Sequence, residues 1–213
     1  LIAVALSTLA MHSASAQNGA KQSYTDAMDW YRKSARAGDP KAQFYYGLAL
    51  EAGEQGPRDL AAARLWFKQA AAAQFPLALY KLALMTQFGQ GGPADPVKAR
   101  RLYQVAADRG VVEAKFNLAV MLLDGVGGAA DGKAAVEFFV AAARDGVTVS
   151  FLHLAILYSR GEGVESDPIE ALKWAHLALQ SKVPSASVVA VSLASRLSDE
   201  QIVDAEARAR AWD

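Results

Sequence analysis

Apolar positions along this chain fall into two helical segments that recur every 36 residues from Tyr24 almost to the end. In one segment of the third unit Ala99, Leu102, Tyr103, Ala106 and Ala107 lie at i, i+3, i+4, i+7 and i+8, one face of a 3.6-residue helix. Ala27, Trp30, Tyr31, Ser34 and Ala35 repeat those offsets in the first unit. This segment is termed helix A. A second segment, helix B, carries Ala42, Ala78, Ala114, Ser150 and Ala186, then Tyr46, Leu82, Leu118, Leu154 and Ala190. Beside the latter runs a small column of Gly47, Ala83, Ala119, Ala155 and Val191. The pattern predicts antiparallel helix pairs whose small residues permit close approach.

Helix A holds a small column of Ala27, Ala63, Ala99, Ala135 and Ala171 beside a large one of Trp30, Trp66, Leu102, Phe138 and Trp174. The large column, with its tryptophans, is expected to be core. Punctuation keeps the same period. Asp59, Asp95, Asp131 and Asp167 stand where helix A begins, two of them directly before proline, as an N-cap before a first-turn proline requires. Asp39-Pro40 repeats that logic for helix B. Gly38, Gly110 and Gly146 stand where helix A must stop, consistent with a left-handed residue after the helix, and Gln74 replaces that glycine in the second unit. Gly53, Gly89, Gly125 and Gly161 open loops of equal length, so each pair is added with nearly the same rotation and translation, which builds a superhelix. Gln55 replaces the second loop glycine of the first unit. No glycine loop follows Ser195; instead Ser198-Asp199-Glu200-Gln201 forms a capping box for a closing helix running to about Trp212.

Charge removes several partners. Lys plus Arg and Asp plus Glu number 22 each, so the chain lacks the positive excess that drives nucleic-acid binding. No polybasic block points to anionic lipid. The absence of cysteine removes disulfides, thiolate metal sites and cysteine nucleophiles. The start is different in character: Leu1 to Met11 is apolar, Ala14-Ser15-Ala16 is a small-x-small site, and a polar stretch follows. Residues 1–16 therefore read as a cleaved signal peptide and 17–23 as a linker before the array at 24–197 and a terminal capping helix at 198–213. An uncleaved anchor and an ordinary buried helix are the alternatives. Export without cysteine points to the periplasm of a Gram-negative bacterium.

The chain offers no catalytic constellation. His12 lies in the expected leader, and His153 and His176 sit in different helices without a ligand companion at i+4. No serine occupies a nucleophile elbow. Gly89-Gln90-Gly91-Gly92 and Gly125-Val126-Gly127-Gly128 lack the strand context and the Lys-Ser/Thr of a phosphate cradle, so turn geometry explains them and no cofactor is expected. Two columns remain as candidates for contact with a partner. Tyr31, Phe67, Tyr103 and Phe139 lie about 100° round helix A from the large column and are placed to line a groove as an aromatic ladder. On helix B, Tyr45, Lys81, Asn117 and His153 form a variable polar column on a regular frame, where an array can encode a partner.

Ala99, Leu102-Tyr103, Ala106-Ala107, Gly110, Ala114, Asn117-Leu118 and the Gly125-Val126-Gly127 loop ending at Asp131 together resemble the Sel1-like repeat, a relative of the tetratricopeptide repeat. The fourth loop, Gly161-Glu162-Gly163-Val164-Glu165-Ser166-Asp167, carries the likeness most strongly. The resemblance implies an all-α, right-handed superhelical solenoid of about five units and a non-enzymatic role. A protein or peptide partner in the bacterial envelope is expected, since similar exported proteins regulate membrane sensor kinases or serve as scaffolds for exopolysaccharide machinery. Two other roles are weighed beside it: an envelope hydrolase acting on peptidoglycan or β-lactams, and a secreted factor that binds a host protein. The sequence does not fix the oligomeric state.

Overall fold

The computed structural model describes residues 26–54 and 56–212, and within them every regular element is a helix. The expected leader, the linker and Gln55 lie outside the described residues. Helix α1 occupies 26–36. It is followed by α2 (Pro40–Ala52), α3 (Leu60–Ala72), α4 (Pro76–Gln87), α5 (Pro96–Asp108), α6 (Val112–Leu123), α7 (Gly132–Arg144), α8 (Val149–Arg160), α9 (Pro168–Gln180), α10 (Ala186–Ala194) and α11 (Asp199–Arg210). Odd-numbered helices up to α9 are the A helices and even-numbered ones the B helices. From α2 to α10 each packs mainly on its neighbours in sequence, so the fold is a solenoid with one continuous core.

Caps set the helix boundaries. Asp59, Asp95 and Asp131 each accept a hydrogen bond from the backbone N–H three residues on, at 2.9, 2.9 and 3.0 Å, and Asp167 accepts two. At the other end of every A helix the chain closes with the same bond from the third residue beyond: Asp39 to Ser34, Phe75 to Ala70, Val111 to Ala106, Val147 to Ala142 and Val183 to Ala178. The residue directly before the donor is left-handed each time, including Gln74 at φ 62° and Lys182 at φ 56°. The bond pattern therefore dictates the turn, and glycine is only its least strained occupant.

The loops from B to A are equally uniform. Asp59, Asp95, Asp131 and Asp167 donate their N–H to Leu50, Thr86, Leu122 and Tyr158, closing each loop at the same point. Gly91, Gly127 and Gly163 lie directly on the start of the preceding A helix. A Cβ at Gly127 would stand 2.3 Å from the Pro96 carbonyl oxygen, and one at Gly91 would stand 2.1 Å from that of Leu60. Arg64 and Arg100 then reach over these loops to donate to the carbonyls of Pro93 and Ala129 at 3.1 and 2.8 Å. Loop and helix are thus fixed to each other, and the step from one unit to the next is rigid.

The aromatic columns of helix A exchange the places expected of them. Phe67, Tyr103 and Phe139, expected to line an open groove, are fully buried. The neighbouring column, expected as core, is buried only at Trp174; Trp66, Leu102 and Phe138 are partly covered and Trp30 is 59% exposed. The reason is the position of the flanking B helices. Phe67 is held by Phe44 of the preceding B helix at 5.7 Å, Tyr103 by Tyr80 at 6.0 Å and Phe139 by Phe116 at 5.6 Å, centroid to centroid. The small residue at Gly47 exists for this joint: a Cβ there would stand 2.8 Å from the Phe67 ring. Ala63, Ala99, Ala135 and Ala171 are buried as expected, whereas Ala27 is exposed.

The far end departs from the regular order. Ser198 and Gln201 form both bonds of the capping box, and α11 then folds back onto α9. Ala205 and Ala209 are buried there. Trp212 meets Trp174 edge-on at 4.7 Å, and the Lys173 ammonium lies 4.1 Å from the Trp174 centroid and 5.0 Å from that of Trp212. Arg208 extends toward Glu170 at 3.6 Å.

Candidate partner-binding face

A face for binding has to be built from what the core leaves uncovered. On α2, α4, α6 and α8 in turn, Tyr45, Lys81, Asn117 and His153 are all half-buried, and beside them Leu48, Leu84, Val120 and Ile156 are also half-buried. The 36-residue step places each of these on successive parallel helices, so a polar column and an aliphatic one run together along the array.

Three of the polar residues are set by the ring of their own unit, and Asn117 by that of the unit before. Tyr45 tilts against Tyr31 at 5.2 Å, and the Lys81 ammonium stands 5.8 Å from the Phe67 centroid while pairing with Glu51 of the previous unit at 2.6 Å. The His153 imidazole lies 4.7 Å from the Phe139 ring and nearly parallel to it. Asn117 donates to the Tyr80 hydroxyl at 3.5 Å, and Tyr103 donates to Gln87 at 2.9 Å. The two expected columns are therefore brought together, but as layers: the aromatic one lies beneath and the polar one above. Only Tyr31 of the aromatic column retains partial exposure.

The electrostatics follow from this half-burial. Desolvation holds the His153 imidazole below its ordinary range, with Asp124 opposing it weakly. Burial likewise pushes the Tyr80 and Tyr103 phenols up, so both stay neutral hydrogen-bonding groups at any physiological pH. Nothing in the face resembles a nucleophile activated by a base. Among the described residues no group of three or more His, Asp or Glu is placed to hold a metal ion, and no helix is long and apolar enough to cross a membrane.

The helix B column of Phe44, Tyr80 and Phe116 escaped the sequence reading, although it recurs at the same step and supplies the rings that bury helix A. The small column beginning at Gly47 was the available signal, because small residues three positions along one helix face mark where a ring from the next helix lies.

The sequence pattern of the Sel1 repeat matches residues 8–39, 40–75, 76–111, 112–147 and 152–182. Among solved structures, the chain is similar to a protective antigen present in uropathogenic Escherichia coli strains, described as displaying an SLR fold, with 31% identity and a TM-score of 0.69 over 72% of this chain and 33% of that one. It is also similar to a Sel1 repeat protein from Oxalobacter formigenes, with 29% identity and a TM-score of 0.68 over 72% of this chain and 63% of that one. The chain thus spans about a third of the first of these proteins and less than two thirds of the second. No curated protein matches the chain.

Proposed function

Because the chain belongs to the Sel1 repeat family, whose members generally mediate protein–protein interaction and are typically non-catalytic scaffolds, we propose that it is an interaction scaffold or regulator in the bacterial envelope. One observation carries this reading. Tyr45, Lys81, Asn117 and His153 occupy equivalent, half-exposed positions on a frame whose caps, loops and core otherwise repeat, and they differ in chemistry from unit to unit. Variation at accessible columns of a constant frame is how an array distinguishes one partner from another. The aliphatic column from Leu48 to Ile156 beside it supplies apolar contact, and the polar column supplies register.

The proposed partner is a protein or peptide of the envelope, with a sensor kinase or exopolysaccharide machinery as the assemblies in view. The apolar start of the chain and the small-x-small site at Ala14-Ser15-Ala16 support export through a cleaved leader. A secreted, host-facing role is the second reading, and the likeness to a protective antigen favours it.

The test is crosslinking in living cells of the native chain and of a variant carrying Tyr45→Ala, Lys81→Ala and Asn117→Ala. A discrete protein partner lost in the variant is expected. Capture that is the same in both would remove this face as the site, and a partner recovered only from culture medium would favour the secreted reading.

A further inference from the structure

At the last B helix the regular face opens into a groove, and its origin is legible in the residues. Val189 stands where earlier units carry Tyr45, Lys81, Asn117 and His153, and Ser192 stands where they carry Leu48, Leu84, Val120 and Ile156. Smaller side chains on a shorter helix leave a volume of about 420 Å³ between α8 and α10. That lies within the range of roughly 300 to 1,000 Å³ typical of ligand sites. The turn of α11 onto α9 leaves α10 bare on its outer side, with Val188 and Val191 each 71% exposed.

The lining has two chemistries. Ile156, Val189 and Leu193 make an aliphatic floor, and Arg160 and Arg196, one repeat step apart, stand on the rim. Among the described residues Arg160 has a single ion pair, to Glu162 at 3.4 Å, with both side chains largely in solvent, where such a pair is weak and readily exchanged. Arg196 makes no ion pair among the described residues. Both arginines lie at helix C-termini, whose carbonyls add partial negative charge, so the guanidinium groups alone supply the attraction for an anion. Guanidinium also pairs with carboxylate in a two-bond fork that ammonium does not offer.

We propose that the groove between α8 and α10 docks a peptide segment of a protein partner in which an aliphatic side chain is followed by acidic ones. The aliphatic group enters against Ile156, Val189 and Leu193, and the carboxylates meet Arg160 and Arg196. This deepens the scaffold reading and rests on it in one respect, that the partner is a protein. The groove continues the aliphatic column at Ile156, so a partner lying along the B helices reaches it without leaving the face.

The test is fluorescence anisotropy on the full chain, using a fluorescein-labelled decapeptide with one leucine followed by two glutamates and its glutamine counterpart. The glutamate peptide is expected to bind, the glutamine peptide about tenfold more weakly, and binding is expected to weaken as salt is raised. Arg160→Glu with Arg196→Glu should abolish binding. Ser192→Phe, which fills the groove without touching the charges, should weaken it by about tenfold. All three substitutions are at solvent-facing positions, and circular dichroism checks that the helices persist. Absence of glutamate-peptide binding, or binding indifferent to both the charge reversal and Ser192→Phe, overturns the proposal. Lys98→Ala with Arg101→Ala, two exposed cations on α5 away from the B-helix face, should leave peptide binding unchanged. If those two substitutions abolish it, the peptide is held by basic charge elsewhere and the groove assignment is wrong, whatever the crosslinking result.

Discussion

His153 and Phe139 stack with centroids 4.7 Å apart and planes 8° from parallel, one from a B helix and one from the A helix of the same unit. The contact favours a neutral imidazole, because burial penalises the charged ring. The folded state therefore binds the proton less tightly than the unfolded chain, whose value is near 6.5. Stability from this group is fully present above about pH 6.5 and is lost as pH falls from there toward the lower folded value. Thermal melts at pH 7.5 and 5.5 should show a drop in Tm for the native chain that is smaller in His153→Gln. Equal drops would mean that His153 titrates normally.

Phe67 and Trp30 provide the direct test of which helix A column is structural. Phe67→Ala removes a fully buried ring clasped by Phe44 and should destabilise by about 3 to 5 kcal/mol. Trp30→Ala, at a side chain 59% exposed, should change stability by about 0.5 kcal/mol or less. Chemical denaturation of both variants distinguishes them, and a reversed order would restore the tryptophan column as core.

Glycine substitutions should separate turn strain from close approach. Gly110 has φ 82° and open space around its missing Cβ, so Gly110→Ala carries only the left-handed penalty of about 1 kcal/mol. Gly127 has φ 78° and the Pro96 carbonyl in the way, so Gly127→Ala should cost at least twice as much, since backbone has to move. The converse change, Gln74→Gly, should stabilise by several tenths of a kcal/mol by relieving φ 62° in a non-glycine residue. Urea midpoints for the three variants give the ranking.

Trp212 ties the closing helix to the array through Trp174, Lys173 and Arg144, the last with its guanidinium 5.6 Å from the indole centroid. Removing the indole with Trp212→Ala should release α11 before the rest, because repeat arrays lose their ends first when a cap is weakened. Hydrogen exchange should then show early loss of protection across α11 and unchanged protection in α5 and α6. A uniform loss would make the array one cooperative unit instead.

Local chemistry was the most legible layer of this fold. The Asp caps and the Gly110-type helix ends could be placed from sequence because each satisfies backbone groups within a few residues of itself. The capping box at Ser198 was legible for the same reason. Which aromatic column faces inward depends instead on where other helices pass, and adjacent columns such as Trp66 and Phe67 have the same period. Residue size favoured Trp66, but the gap at Gly47 that admits Phe67 decided the matter. The groove at α10 depends on side chains becoming smaller, at Val189 and Ser192, and becomes visible only when the last unit is superposed on the others. Arg64 and Arg100, which fix the loops, look like ordinary surface charges until the loop carbonyls they reach are seen.

Because α2 to α8 pack almost solely on their immediate neighbours, no long-range bolt among the described residues holds the two ends of the array together. Tension applied at the termini would therefore be borne by one hairpin joint at a time. Stretching should peel the molecule apart in successive short yields, each recovering independently when the load is removed, and a partner laid across several units would act as a splint against that extension.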